Sequence, residues 1–428
     1  SIGLALQDVQ GSNFTGTGAT FNIDGDGIIL FHLKNSTGIT DDFTTNIVSG
    51  SNYRYADMQD SSFIFNKSIS IEDNINFIVA QNSAVLLDSS SDINSTGTGN
   101  IGVYAKNAAT SLVLSSISVA NEVTNKGKIN LGDSSTGIYA DSNVRVLNDS
   151  GAIIAVGDNS QGIYAKNSAS ILNKGNISIG DTSIGLYLNK AVSAENAGTI
   201  NSTSDNAVGV YMNNQATFVN SGLIDLSGID SIGIYDTGTG SRVITNNGEI
   251  KVGDALSIET PSVGIYSVDS GLTINQSAGG IISSGMNSMG IYSKNTVMNI
   301  DGTMNVGASG TGIYADSNSH VTLFSNAKLN IGALDAAGVY ALGNSIVDNY
   351  TSDINYPADS YAFVLNSGAT LNNHAGTITL DNGKVFAYSD NANINNYGDI
   401  LVTGTDNIAL YGVKNSNIVN TGTIDTSG

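Results

Sequence analysis

Apolar residues in this chain recur in short alternating runs of three kinds, always in the same order. One run carries the phrase Gly-Ile-Tyr, at Gly137-Ile138-Tyr139, Gly162-Ile163-Tyr164, Gly233-Ile234-Tyr235, Gly264-Ile265-Tyr266, Gly290-Ile291-Tyr292 and Gly312-Ile313-Tyr314. A second alternates apolar and polar residues, as in Val144-Arg145-Val146 and Val321-Thr322-Leu323. The third follows Asn-x-Gly, as in Asn173-Lys174-Gly175-Asn176-Ile177-Ser178-Ile179-Gly180, with similar runs at Ile129-Asn130-Leu131 and Ile250-Lys251-Val252. Such alternation marks a strand with one buried face. Asn, Asp and Gly between the runs supply the positive φ angles of tight corners. Helical periodicity is absent.

The runs repeat at a nearly fixed period. From Tyr139 the steps to Tyr164, Tyr187, Tyr211 and Tyr235 are 25, 23, 24 and 24 residues, and from Tyr266 to Tyr292, Tyr314 and Tyr340 they are 26, 22 and 26. Tyr104 and Tyr411 occupy the same slot, Val364 and Tyr388 continue the register, and Val79, Tyr55, His32 and Ala5 extend it backwards. Three strands and three corners per repeat make one coil of a solenoid, so length sets the number of coils and not the number of domains. The pattern predicts an all-β fold: a single-stranded parallel β-helix of about 17 coils, each of roughly 22–26 residues with three short strands. Parallel crossovers make it right-handed. At about 4.8 Å per coil, such a helix would be a rod on the order of 80 Å long.

The aliphatic residue before each Tyr (Val103, Ile138, Ile163, Leu186, Ile234) points inward, which puts the Tyr outside. Thirteen of the 18 tyrosines fall in that slot and are expected to stack as an aromatic ladder. Corner asparagines such as Asn107, Asn167, Asn295 and Asn415 are expected to stack in the same way. Residues 1–100 are the least regular coils, and an N-terminal cap is one reading of them. Residues 101–428 are regular, with inserted loops near 111–121, 255–261 and 349–361.

Composition adds limits. There are 50 Gly, 2 Pro and no Cys, so neither a disulfide nor a thiolate metal site holds the fold. Lys plus Arg number 16 against 37 Asp plus Glu, a net charge of −21. That balance repels phosphate backbones and anionic lipid surfaces, which excludes nucleic acid as the expected partner. No run approaches the length of a membrane helix. The start lacks both Met and a signal peptide pattern, and the chain is read as a segment of a longer polypeptide.

Catalysis finds no constellation. His32, His320 and His374 fall in different coils, and Arg54, Arg145 and Arg242 have no acidic pairs in adjacent coils. Asp24-Gly25-Asp26-Gly27 lacks the other ligand positions of a calcium loop and reads as a turn. No enzyme activity, cofactor or metal is expected. Binding is the better reading, because insertions in repeat proteins map to loops on the binding face. Tyr53, Arg54, Tyr55 and Asp57 form one candidate contact region, Glu259 and Pro261 a second, and Tyr350, Tyr356 and Tyr361 a third, since exposed Tyr and Arg are favoured anchors. The Tyr ladder is a candidate too, although identical residues also stack simply because the coil repeats.

The combination of Ser-x-Gly-Ile-Tyr-Ala with Asn-x-Gly-x-Ile-x-Ile-Gly at this period, clearest over Gly162 to Gly180 and Gly312 to Gly332, resembles passenger domains of large outer-membrane autotransporter adhesins, and most of all the fusobacterial group. The resemblance implies type V secretion, anchoring through a C-terminal β-barrel outside this sequence, and display at the bacterial surface as a monomeric rod. It further implies attachment to other bacteria or to host cells, through galactose- or N-acetylgalactosamine-type glycans or a host protein receptor such as one on immune cells. A passive stalk and a polysaccharide-acting enzyme are the alternatives.

Overall fold

The computed structural model describes residues 1–11, 15–107, 122–191, 193–215 and 217–427. Among them no α-helix forms, and the strands fall into two compact units, Ser1–Ser202 and Thr203–Gly428.

Each unit is a parallel β-helix built as the three-run repeat dictates. In the first unit, eight strands stack into one sheet. Thr136–Asp141, Gln161–Lys166 and Ile184–Asn189 are its most regular members, with Tyr139 opposite Tyr164 and Tyr164 opposite Tyr187. The second unit contributes nine such strands, making seventeen turns in all. The alternating runs form a second sheet (Arg145–Asn148 on Ser170–Asn173), and the runs after Asn-x-Gly form a third (Ile153–Val156 on Asn176–Ile179). These pairings are parallel, and many corners turn on residues with positive φ, among them Asn159, Asn167 and Asn287, whereas the Asn173–Gly175 corner does not.

The repeated glycine has a steric cause. In Gln161–Lys166, both Gly162 and Ile163 are buried, two inward positions in succession. A Cβ on Gly162 would lie 2.6 Å from the Ile177 Cγ2 methyl and 2.7 Å from the Gly185 carbonyl oxygen. The backbone oxygen cannot swing aside, so only glycine lets the coils meet there. Gly162→Ala is therefore expected to lower stability by about 1–3 kcal/mol, read as a shifted urea midpoint. An unchanged midpoint would mean that the coils can separate along that strand without cost.

The period also places the slots well, with one exception. Val79, Tyr104, Val364 and Tyr388 all pair where the spacing puts them. In Arg54–Gln59, however, Asp57 and not Tyr55 stands opposite His32 and Val79. Tyr55 is fully buried, so twelve tyrosines occupy the outer row. Residues 1–100 differ from later coils in what fills the core. Phe31, Phe63, Phe65, Phe77, Tyr53 and Tyr55 are all buried there, with Tyr55 and Phe77 stacked at 4.7 Å. The Tyr55 hydroxyl donates to buried Asp41, which also takes an ion pair from Lys67 at 2.7 Å. Burial pushes the Asp41 carboxyl above its ordinary range, against the opposing pull of Lys67 and Tyr55. Asp26 accepts from the Ser51 backbone N–H at 2.6 Å and its hydroxyl at 2.9 Å, which makes the Asp24–Gly27 segment a cross-coil turn.

Inside the second sheet runs an amide ladder. Asn125 Nδ2 donates to Asn148 Oδ1 at 2.8 Å, Asn148 to Asn173 at 2.7 Å and Asn173 to Asn196 at 2.7 Å, all fully buried. In the second unit Asn349, Asn373, Asn396 and Asn420 repeat it at 2.8, 2.7 and 2.7 Å. Of these, Asn125, Asn173, Asn196, Asn396 and Asn420 are the asparagines of Asn-x-Gly. At Asn167 the expected amide stack is replaced by another bond, Nδ2 donating to the Asp141 carboxylate at 2.9 Å.

Candidate ligand-binding surface

The outer tyrosine row stacks because the coil rise matches ring thickness closely enough for contact. Tyr104–Tyr139, Tyr139–Tyr164 and Tyr164–Tyr187 lie 4.8, 4.9 and 4.6 Å apart and within 18° of parallel. In the second unit Tyr266, Tyr292, Tyr314 and Tyr340 repeat this at 5.1 Å, while Tyr211–Tyr235 turns edge-on at 61°. In such a stack each face is covered by the next ring, so a sugar cannot lie flat on it. The row offers solvent its edges and hydroxyls.

The regions picked from sequence separate on folding. Tyr53 and Tyr55 are fully buried and cannot serve as surface anchors. Their neighbours remain outside, where Arg54 and His32 approach Asp57 at 3.4 and 3.7 Å. Glu259 is exposed and Pro261 half-buried, in the loop between Glu249–Val252 and Val263–Ser267. That loop also projects Leu256 and Ile258, 77% and 63% exposed. The insertion read near residues 111–121 lies outside the described residues. Tyr350, Tyr356 and Tyr361 point to different sides of one coil. Tyr350 is exposed and stacks on His374 at 5.0 Å, and His374 in turn on Tyr397 at 4.8 Å. This second aromatic row escaped the sequence reading, although each member directly follows the asparagine of the amide ladder. Tyr361 is half-buried, edge-on to Tyr388 at 6.3 Å. Tyr356 is only 3% exposed, and it belongs to a region where the coils open.

That opening has a local cause. Gly285, Gly307 and Gly332 occupy one corner after the third sheet, each donating its N–H to the coil before: Val252, Ser284 and Val306 carbonyls at 3.1, 2.9 and 2.8 Å. A Cβ on Gly307 would fall 2.3 Å from the Gly285 backbone, and one on Gly332 2.7 Å from that of Gly307. The next residue in this column is Pro357, because Leu329 pairs with Ile354 and Asn330 with Asn355. Proline brings the side chain the column excludes and lacks the N–H it uses. The third sheet stops at Ile354–Asn355, and the following strand on that side, Ile378–Asp381, belongs to a separate sheet.

The result is an open groove of about 550 Å³ beside Tyr356 and Pro357. Its polar wall is an outward amide row: Asn330 Nδ2 donates to Asn305 Oδ1 at 2.9 Å, Asn305 Nδ2 to the Ser283 hydroxyl at 3.0 Å, and Asn355 follows, exposed. No charged side chain lines it. The hydroxyls of Tyr356 and Ser284, at opposite ends, are buried without a hydrogen-bond partner in the protein. Burial pushes the Tyr356 phenol above its ordinary range, so it is a neutral donor. Lys384 sits 5.1 Å from the Tyr356 ring centre, held by Asp381 at 2.5 Å. Among the described residues no three His, Asp or Glu side chains gather to hold a metal ion.

A solenoid of three parallel sheets is the architecture of the pectate lyase-like β-helices. Residues 10–222 are similar to a sequence family described as the BigA third pectate lyase-like domain. That similarity fits a segment of a bacterial surface protein with an adhesin-like role. Its wording likens a fold to that of an enzyme and does not decide activity. No curated protein matches the chain.

Proposed function

We propose that this chain is an attachment segment of a bacterial surface protein, in which the β-helix is the scaffold and the groove beside Tyr356 and Pro357 takes the ligand. The observation that carries this reading is an uncharged groove, opened where Pro357 interrupts the glycine column and walled by the Asn305, Asn330 and Asn355 side chains. The target lies on host cells or other bacteria, and its recognised part is neutral.

Labelled chain added to epithelial cells, immune cells and partner bacteria tests this. Asn330→Leu, an outward change in the groove wall, is expected to weaken attachment about tenfold, the worth of one good hydrogen bond. Leu256→Ser, in the exposed loop, is expected to leave it unchanged. The reverse result would move the site to the 253–262 loop and end the groove reading. Competition by galactose or N-acetylgalactosamine separates a glycan target from a protein receptor.

A further inference from the structure

Resting on that reading, we propose that the groove binds a neutral, extended, β-linked oligosaccharide lying along the coil axis, with about one sugar per coil. Four successive coils contribute to the lining, at Ser284, Val306–Gly307, Ile331–Gly332 and Tyr356–Pro357. Successive coils in a parallel stack are about 4.8 Å apart, close to the rise of one sugar in an extended equatorially linked chain. The amides of Asn305, Asn330 and Asn355 repeat at that rise and offer both donors and acceptors, which is what ring hydroxyls need.

Charge selects among such chains. A uronic acid polymer would bring one carboxylate per sugar into a groove without a cation in its lining, on a chain of net charge −21. Desolvating those carboxylates without partners is unfavourable. A peptide strand fits less well, because it needs a free sheet edge of alternating N–H and C=O groups, and the lining supplies side-chain amides instead.

One acceptor belongs to this groove alone. The column that gives Val252, Ser284 and Val306 their Gly N–H donors would next give one to the Ile331 carbonyl. Pro357 has none to give. The Ile331 carbonyl is thus left to a ligand hydroxyl, beside the exposed Pro357 ring, an apolar surface suited to the C–H face of a sugar.

Calorimetric titration of the intact chain with β-1,4-linked glucose oligomers, from the disaccharide to the hexasaccharide, tests the assignment. Affinity is expected to rise with each sugar to the tetrasaccharide and then level off. Oligogalacturonate of equal length is expected to bind more weakly. Pro357→Gly restores the column's N–H, which then occupies the Ile331 carbonyl. Glycine is what the preceding coils carry, so the fold is retained, and tetrasaccharide affinity is expected to fall about tenfold. No binding of neutral oligomers, stronger binding of oligogalacturonate or of an extended peptide, or unchanged affinity in Pro357→Gly would overturn the proposal. If neutral oligomers fail while Asn330→Leu still weakens cell attachment, the groove stands and only its ligand class is wrong.

Discussion

Arg242→Ala is expected to lower the unfolding free energy of the second unit by about 3–5 kcal/mol, because it strands a buried carboxylate. Arg242 is among the largest fully buried side chains and forms an ion pair with Asp236 at 2.9 Å, both side chains at most 1% exposed. All its donors are used. Nε and one terminal nitrogen hold Asp236, the latter also reaching the Asp269 carbonyl at 3.4 Å, while the other donates to the Gly240 and Ser270 carbonyls at 2.9 and 3.1 Å. Losing the guanidinium leaves Asp236 with only the Ser267 hydroxyl at 2.9 Å. The neighbouring coil shows the remedy. Leu272 pairs with Arg242 and Ser267 with Asp236, so that coil fills the same two slots with an apolar residue and a small hydroxyl. The double variant Arg242→Leu, Asp236→Ser is therefore expected to recover most of the loss. Equilibrium urea unfolding of the single and double variants checks both statements. A double variant as unstable as Arg242→Ala would show that the pair holds the corner by more than its charge.

The second large effect is expected in the amide ladder. Asn373→Leu removes the acceptor of Asn349 and the donor to Asn396, both buried. Each orphaned group costs about 1–3 kcal/mol, and the expected total is about 2–4 kcal/mol. Leucine is not foreign to the position: Ile300 and Leu323 occupy it two coils running, and Asn349 stands directly on Leu323. Asn349→Leu therefore breaks only one ladder bond and extends an existing apolar column. Its expected cost is about half that of Asn373→Leu. Equal costs would mean that side-chain volume and not hydrogen bonding governs the column.

These two cases show where sequence pattern stops. The period and the alternation yield the three sheets, the outer tyrosine row and its register, because every coil repeats the same inward and outward choice. They fail where a polar residue takes an inward slot. Nothing in the alternation marks Asn373 and Arg242 as inward, and only their partners, Asn349 and Asn396 in the adjacent coils and Asp236 in the same coil, make their burial tolerable. Tyr55 was misplaced for the converse reason. A spacing of 24 fits an outward tyrosine, yet the wider aromatic core of the first coils draws it inside and leaves Asp57 in the outer row. The groove carried a readable signal, a proline in a column of glycines. Seeing it required knowing that Pro357 aligns with Gly332, and the short strand Ile354–Asn355 is what fixes that alignment. Tyr350, Tyr356 and Tyr361 look like one cluster along the chain, but a coil turns through three faces in that distance.

Hydrogen exchange of the intact chain, with and without the neutral β-linked tetrasaccharide, tests the binding claim most directly. The account predicts slowed exchange at backbone amides of the third-sheet corners around residues 284–286, 305–308, 330–333 and 354–356, and little change in the 253–262 loop or along the tyrosine row. Protection confined to the loop or to the tyrosine row, or none anywhere at saturating sugar, would contradict it.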